Sequence, residues 1–166
     1  PSYPARTDRA VISRFQDELK RLIKAYVSRY SKSHTLSYCL WVRERSEELG
    51  YHYHVLIAVN RNTFMNPGDL NSRGNLSHMI QQAWNSAMGI GAEPPYFVHF
   101  SNYHYIGKKM SAFEVSTRLT DAYTHFSYMA KVDTKPFGDG RRNYGCSNLD
   151  NAGWYLMTQK IKRKGA

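Results

Sequence analysis

Two neighbouring segments constrain the fold most, because both are rich in aromatic and β-branched side chains. The segments Thr35–Arg45 and Tyr51–Asn60 are each of strand length, and the polar turn Ser46–Gly50 separates them. Strands joined by so short a connection pair antiparallel, since parallel strands need a long crossover. The sequence therefore predicts an antiparallel β-hairpin over these residues.

A helix is predicted before this hairpin. Apolar side chains recur at spacings of three and four residues from Val11 to Tyr26, which is typical of an amphipathic helix. Thr7 or Asp8 is a candidate N-cap, because a short polar side chain accepts a hydrogen bond from the first turn. We expect this helix to end near Ser31.

Four further elements follow the loop 60–74, which is rich in Asn, Pro, Gly and Asp. The pattern predicts a helix over Leu76–Ala87, a strand over Tyr96–Phe100, a long helix over Ser111–Val132 and a last strand or helix over Trp154–Ile161. The long helix is expected to direct six side chains into a core: Phe113, Val115, Leu119, Tyr123, Phe126 and Met129. This order of elements predicts one α+β domain over residues 1–166, an antiparallel sheet covered on one side by helices.

The charge of the chain favours a polyanionic partner. It has 166 residues with 23 Lys plus Arg against 13 Asp plus Glu, a net charge of +10. Neutralising phosphates releases condensed counterions, so nucleic acid is the first candidate. An apolar content of 42% excludes a disordered basic tail. The sequence has no apolar run of about 18 residues, so we expect no membrane partner.

The cysteines indicate the compartment. Cys39 and Cys146 are too few for a disulfide framework and are not spaced as a zinc motif. No signal peptide is recognisable, and we expect a cytoplasmic protein. The chain begins at Pro1 rather than Met, which indicates a piece of a longer protein.

The strongest chemical motif lies in the second predicted strand. In a strand alternate side chains share a face, so His52 and His54 project to one side and Tyr53 to the other. On the pattern alone, a metal site and a hairpin whose histidines only pack are equally favoured. Glu44 on the paired strand is a candidate third ligand, and such a set suits a Lewis acid with open positions, Mg²⁺ or Mn²⁺.

A second motif lies near the end of the long predicted helix. Tyr128 and Lys131 are three residues apart, which places the phenol and the ammonium on one helix face. A phenol is able to attack a phosphodiester, and a cation beside it stabilises the charge that develops. For these residues alone, a half-buried tyrosine beside a surface lysine is the simpler interpretation.

Together these motifs resemble the HUH endonuclease superfamily. The resemblance rests on His52-Tyr53-His54 within an apolar strand, followed some 70 residues later by Tyr128-Met129-Ala130-Lys131. Within the superfamily, Trp41-Val42-Arg43-Glu44, the strand end Val59-Asn60 and the tract after Lys131 are similar to inovirus-type replication initiators, the gene II-like domains of filamentous phages and prophages. The resemblance spans most of residues 35–150.

The resemblance implies a fold and a reaction. The fold would be a five-stranded antiparallel sheet with flanking helices, and the reaction metal-dependent nicking and rejoining of single-stranded DNA at a replication origin. By this resemblance His52, His54 and, less firmly, Glu44 would hold the metal. Tyr128 would form a 5′-phosphotyrosyl intermediate with Lys131 as its electrostatic helper. The reaction would start rolling-circle replication in a bacterial cell, with host replication proteins as further partners.

The DNA-binding residues are predicted from charge. The candidates are Lys108, Lys109, Lys135, Arg141 and Arg142, with Tyr103, Tyr105 and Tyr144 available to stack on bases. Tyr123, five residues before Tyr128, is about 140° around a helix, which favours a core or DNA-facing role over a second nucleophile.

Three other functions stay open at this point. A single-tyrosine HUH transposase would share the site but act on hairpin DNA ends. A metal-dependent nuclease that uses water would leave no covalent adduct. A non-catalytic DNA-binding module would need no metal.

Overall fold

The computed structural model describes residues 10–30, 38–48, 50–91, 97–131 and 133–147. These form an α+β arrangement of three helices, a short 3₁₀ turn and three strands. The candidate N-cap at Thr7 or Asp8 and the predicted element Trp154–Ile161 lie outside the described residues. The predicted α+β class is confirmed.

The sheet is built on the predicted hairpin. Strands β1 (Tyr38–Ser46) and β2 (Gly50–Ala58) pair antiparallel, and β3 (Tyr144–Cys146) pairs antiparallel with the other edge of β1. The described part of the sheet therefore has three strands in the order β2-β1-β3. Gly50 has a φ of 64°, a left-handed conformation that glycine adopts without strain where the chain enters β2.

Two helices cover one face of this sheet. Helix α1 (Val11–Arg29) buries the apolar side of its amphipathic surface, and α2 (Leu76–Met88) packs beside it. The buried side chains of the two helices form the core with Cys39 of β1 and, partly buried, Trp41, Tyr53, Val55 and Ile57 of the sheet. The Arg14 guanidinium donates to the Ala87 carbonyl at 2.8 and 3.0 Å and ties α1 to the end of α2.

The boundaries of α2 follow from its flanking residues. The Asn75 side chain accepts from the backbone N–H of His78 at 2.9 Å, which caps the first turn. Gly89 ends the helix in the left-handed conformation, with a φ of 72°. The predicted helix over Leu76–Ala87 is confirmed, and it extends by one residue to Met88.

The predicted strand Tyr96–Phe100 is wrong for its described residues 97–100. Val98 and Phe100 pack against the core, whereas Phe97 and His99 are exposed. The segment thus has the side-chain alternation of a strand but no assigned strand structure. Alternation of buried and exposed side chains shows which side of a segment faces the core. It does not require hydrogen bonds to a neighbouring strand.

The long helix is shorter than predicted, and its surroundings differ. Helix α3 (Ala112–Ser127) begins at a capping box between Ser111 and Glu114, and a 3₁₀ turn over Tyr128–Ala130 follows it. It buries none of its side chains; Phe113 is 80% exposed and Tyr123 76%. The expectation that α3 lines the core is therefore wrong, because α1 and α2 supply the helical side of the core.

No helix among the described residues is long and apolar enough to cross a membrane.

Candidate active site

Glu44, His52 and His54 converge on the sheet face that α1 and α2 leave uncovered. In the hairpin register Glu44 lies opposite His52, and His54 lies opposite Val42. Directly paired residues of an antiparallel ladder share a face, so all three side chains project to the same side. Tyr53 points the other way and packs edge-on against Trp41 and Trp84. The pleat of two strands alone thus assembles the triad.

The ligand atoms of the triad lie close enough to share one cation. Each residue offers one, and all of them are within 4.8 Å of one another. Glu44 Oε2 is 3.3 Å from His54 Nε2 and 3.8 Å from His52 Nε2. Two imidazole nitrogens and a carboxylate are an ordinary donor set for a divalent transition metal. The residues therefore fit the metal that the sequence predicts.

A hydrogen bond of His52 Nδ1 determines the tautomer of the neutral ring. His52 Nδ1 lies 3.2 Å from the carbonyl oxygen of Gly50, which only accepts hydrogen bonds, so Nδ1 carries a proton. In neutral His52 this leaves the lone pair on Nε2, the nitrogen nearest to Glu44. A backbone carbonyl that orients a histidine in this way is typical of metal-ligating histidines.

Lys135 holds the second oxygen of Glu44. Its ammonium lies 2.5 Å from Glu44 Oε1, and the two side chains are 9% and 6% exposed. Burial raises the pKa of the Glu44 carboxyl, but Lys135, Thr134 and the nearby His54 together outweigh it, so the pKa lies below its ordinary value. Glu44 is therefore ionised at neutral pH, with Oε2 directed to the histidines.

The triad is open to solvent on one side. The His54 side chain is 41% exposed and that of His52 24%. A cavity of about 440 Å³ lies beyond Lys135, among Arg45, Tyr51 and residues 133–139, and the triad does not line it. An accessible triad on a sheet face suits a large substrate better than a small molecule enclosed in a pocket.

Tyr128 and Lys131 form a second group. The Tyr128 ring is at the junction of α3 and the 3₁₀ turn, it is 64% exposed, and the Lys131 ammonium lies 5.2 Å from its centre. The predicted proximity of phenol and ammonium is therefore present. No hydrogen bond, ion pair or ring contact joins this group to the triad within the described part of the chain.

The segment after Lys131 leads directly to the triad. The backbone N–H of Arg45 donates to the Thr134 carbonyl at 2.9 Å, and the next residue, Lys135, is the one bound to Glu44. Seven residues separate Tyr128 from Lys135, which limits their Cα separation to about 25 Å. The candidate nucleophile is therefore joined by a short stretch of chain to the residue that binds Glu44.

Comparison with known proteins identifies the family. Residues 1–147 match the model of the YagK/YfjJ C-terminal domain. This chain belongs to that family. It is 33% identical over 164 residues to "Uncharacterized protein YfjJ" of Escherichia coli (strain K12), covering 89% of this chain and 75% of that protein. It is 31% identical over 147 residues to "Uncharacterized protein YagK" of the same strain, covering 84% and 70%. No solved structure matches the chain.

The predicted DNA-binding cations differ in their exposure to solvent in this YagK/YfjJ domain. Lys108, Lys109 and Arg142 are exposed, and Arg141 is half-buried. Lys135 differs, because its side chain is buried against Glu44. The sequence gives no signal for that contact, since 91 residues separate the two positions.

The predicted stacking tyrosines of the YagK/YfjJ domain also differ from one another. Tyr103 and Tyr144 are 56% and 73% exposed. Tyr105 instead carries two guanidinium groups over its ring, from Arg61 and Arg118. The ring nitrogens of His125 and His104 lie 2.9 Å apart, so His125 pairs with His104 and is not part of the triad.

Proposed function

We propose that this domain is a metal-dependent HUH-type endonuclease that nicks and rejoins single-stranded DNA through Tyr128. The observation that carries the proposal is the convergence of Glu44, His52 and His54 on one open sheet face. The two imidazoles are presented on alternate residues of one strand, and the carboxylate comes from the strand beside it. This is the arrangement that the resemblance to inovirus-type initiators implies.

The electrostatics of the triad support a bound cation. The ionised Glu44 carboxylate and, in neutral His52, the lone pair of Nε2 lie 3.8 Å apart, and a cation between them would be attracted to both. A divalent metal held by Glu44, His52 and His54 would be such a cation and would polarise a phosphate oxygen. We favour Mn²⁺ over Mg²⁺, because two of the three donors are nitrogens and Mg²⁺ prefers oxygen.

Tyr128 is the proposed nucleophile because its phenol is exposed beside a lysine. The phenol oxygen attacks the phosphorus and gives up its proton, the 3′ oxygen departs and takes up a proton, and the 5′ phosphate remains esterified to Tyr128. The Lys131 ammonium, 5.2 Å from the ring centre, stabilises the negative charge that develops. The 3′-hydroxyl released in this way is able to attack the ester again, which rejoins the strand.

The proposal extends to the fold and the biological setting. We infer that the domain has the five-stranded HUH-type sheet that the resemblance implies. We further propose that the domain acts at the origin of a phage or prophage-like element, in the cytoplasm of a bacterial cell. Host replication proteins would then extend the free 3′ end.

A covalent adduct is the most specific sign of this reaction. The protein is incubated with a labelled pool of single-stranded DNA and Mn²⁺, and the products are separated on a denaturing gel. The parent and Tyr123→Phe are expected to give a slow band that resists boiling in detergent. Tyr123→Phe is the matched control, because this phenol is also exposed and lies on the helix that directly precedes Tyr128. Tyr128→Phe, His54→Ala and chelator are each expected to abolish the band.

Other products would point to other functions. Cleavage without an adduct in the parent would indicate water as the nucleophile. An adduct that persists in Tyr128→Phe and disappears in Tyr123→Phe would reassign the nucleophile. Metal-independent binding with no cleavage of any pool member would contradict the proposal and leave a non-catalytic DNA-binding module. Strand transfer confined to hairpin DNA ends would indicate a transposase.

A further inference from the structure

Three separate chain segments bring their side chains together around Tyr105. Arg61 follows β2, Tyr105 precedes α3, and Arg118 lies on α3. The guanidinium carbons of Arg61 and Arg118 lie 4.3 and 4.7 Å from the centre of the Tyr105 ring. Arg118 Nη2 is also 3.5 Å from the Tyr105 hydroxyl oxygen. The two guanidinium groups are therefore no more than about 9 Å apart, the sum of their distances from the ring centre.

Neither of these two cations forms an ion pair with a carboxylate among the residues that the structure describes. Two acidic side chains of α3 lie at helical spacing from Arg118, Glu114 four residues before it and Asp121 three residues after it. The Glu114 carboxylate accepts from the backbone N–H and the hydroxyl of Ser111 at 2.7 and 2.8 Å and interacts with Arg118 only at longer range. Other arginines are paired: Arg21 with Glu18 at 2.6 Å and Arg43 with Asp139 at 2.8 Å. Two positive charges held this close, without a direct ion pair to a carboxylate among the described residues, favour an anion that contacts both.

We propose that Arg61, Tyr105 and Arg118 form a phosphate clamp that binds the backbone of single-stranded nucleic acid. The tyrosine ring holds the guanidinium planes in place through cation–π contacts. A held guanidinium binds a phosphate through two parallel hydrogen bonds. Gly107 allows the close approach of Arg61, since a Cβ there would lie 3.1 Å from Arg61 Nη1.

The surroundings of the clamp favour a polynucleotide over a free phosphate. Lys108 and Lys109 are exposed a few residues after Tyr105, and Tyr103 is 56% exposed on its other side. Alternating cations and exposed aromatic rings match the phosphates and unpaired bases of a single strand. An isolated phosphate would not use the exposed ring.

One residue of the clamp, Arg118, lies on the helix that leads to Tyr128. Arg118 precedes Tyr128 by ten residues, which is about 15 Å along a helix axis. A strand held at Arg118 therefore reaches the candidate nucleophile within a few nucleotides. This role as a guide for the cleaved strand rests on the proposed function, whereas phosphate binding by the clamp does not.

The test measures binding with catalysis prevented. Fluorescence anisotropy of a labelled oligothymidylate is recorded in chelator at several salt concentrations. The variant Arg61→Gln/Arg118→Gln removes the clamp, and Lys24→Gln/Arg29→Gln removes the same charge from the exposed surface of α1. Arg29 is a matched control because its guanidinium also lies over a tyrosine ring, that of Tyr30.

We expect the clamp variant to weaken binding about tenfold or more and the control less than about twofold. The slope of log K against log salt concentration is expected to become shallower by about 0.7 for each phosphate of a single strand that is no longer bound. The variant Arg61→Lys/Arg118→Lys keeps both charges and the fold, and it is expected to bind more weakly than the parent because lysine lacks the planar fork.

Four results would overturn the clamp. The first three are equal weakening of binding in the clamp variant and the control, a salt slope that does not change in the clamp variant, and full binding by the lysine variant. The fourth is a clamp variant that loses binding to phosphatidylserine vesicles but still binds oligothymidylate. The last would assign the clamp to a lipid headgroup. Because chelator prevents metal-dependent cleavage, these binding results can be interpreted whether or not the parent protein nicks DNA. Nicking by the parent together with full binding by the clamp variant would refute the clamp alone.

Discussion

At the scale of single residues, the two oxygens of the Glu44 carboxylate have different partners. Glu44 presents Oε1 to Lys135 and Oε2 to the two histidines, so its orientation is fixed from both sides. Similarly, the Gly50 carbonyl fixes the ring of His52. Glu44 and His52 are thus already oriented without a metal, which would lower the entropic cost of binding one.

Removing one ligand is expected to weaken metal binding strongly. Glu44→Gln keeps the shape of the side chain but loses its charge, and we expect the Mn²⁺ affinity to fall by about tenfold or more. Titration calorimetry measures this affinity directly. His104→Ala is the control, because His104 and His125 are also a close imidazole pair but lie outside the triad. Loss of Mn²⁺ binding in His104→Ala, with Glu44→Gln unaffected, would move the metal site to that pair.

A second residue-scale prediction concerns the buried Arg43. Its guanidinium is 1% exposed and paired with Asp139, and the hydrogen bond from Arg43 lowers the pKa of Asp139 below its ordinary value despite a smaller opposing effect of desolvation. A lowered pKa in the folded state stabilises the protein above the unfolded-state pKa near 4, and this stabilisation is lost as the pH falls through the folded-state value.

Asp139→Asn is therefore expected to lower the free energy of unfolding at pH 7, and its difference from the parent is expected to shrink at pH values below about 4. Urea denaturation at both pH values measures the difference. Asp121→Asn on α3 is the control, since no carboxylate–arginine pair is present there among the described residues. A difference between Asp139→Asn and the parent that is independent of pH would contradict the ion pair.

At the scale of secondary-structure elements, α1 and α3 show opposite relations between sequence and burial. Both have apolar residues at helical spacing, yet α1 buries five side chains and α3 none. Amphipathic spacing reports that a helix forms. Whether another element covers the apolar side of a helix depends on how the whole fold packs. The spacing of apolar residues along one helix does not contain that information.

Two phenylalanines test this difference. Phe15 of α1 is 2% exposed and packs edge-on against Trp84, whereas Phe113 of α3 is 80% exposed. We expect Phe15→Ala to cost about 3–5 kcal/mol of unfolding free energy and Phe113→Ala less than about 0.5 kcal/mol. Chemical denaturation of both variants measures the two values. Similar losses would show that α3 shares the core.

The hairpin is the element that the sequence predicts best. Its register follows from the alternation of side chains and a short turn, and a shift by one residue would place His52 and His54 on the core side. The convergence of Glu44 with both histidines could therefore be predicted from the sequence alone. Lys135 could not, because its contact with Glu44 depends on how a loop distant in sequence crosses β1.

At the scale of the whole molecule, the two faces of the sheet have separate roles. One face is covered by α1 and α2 and supplies stability, and the other presents the open triad. The net charge of +10 attracts a polyanion to the molecule without selecting a sequence. Under the proposed function, selection of a cleavage site would come from contacts near the triad and along α3.

The position of the covalent adduct tests the central claim most directly. After reaction with single-stranded DNA and Mn²⁺, nuclease trimming and proteolysis, tandem mass spectrometry locates the nucleotide on the peptide chain. The account predicts a nucleotide phosphate on Tyr128, present with Mn²⁺ and absent with chelator. Cleaved DNA with an unmodified Tyr128, or a nucleotide on Tyr123 instead, would contradict it.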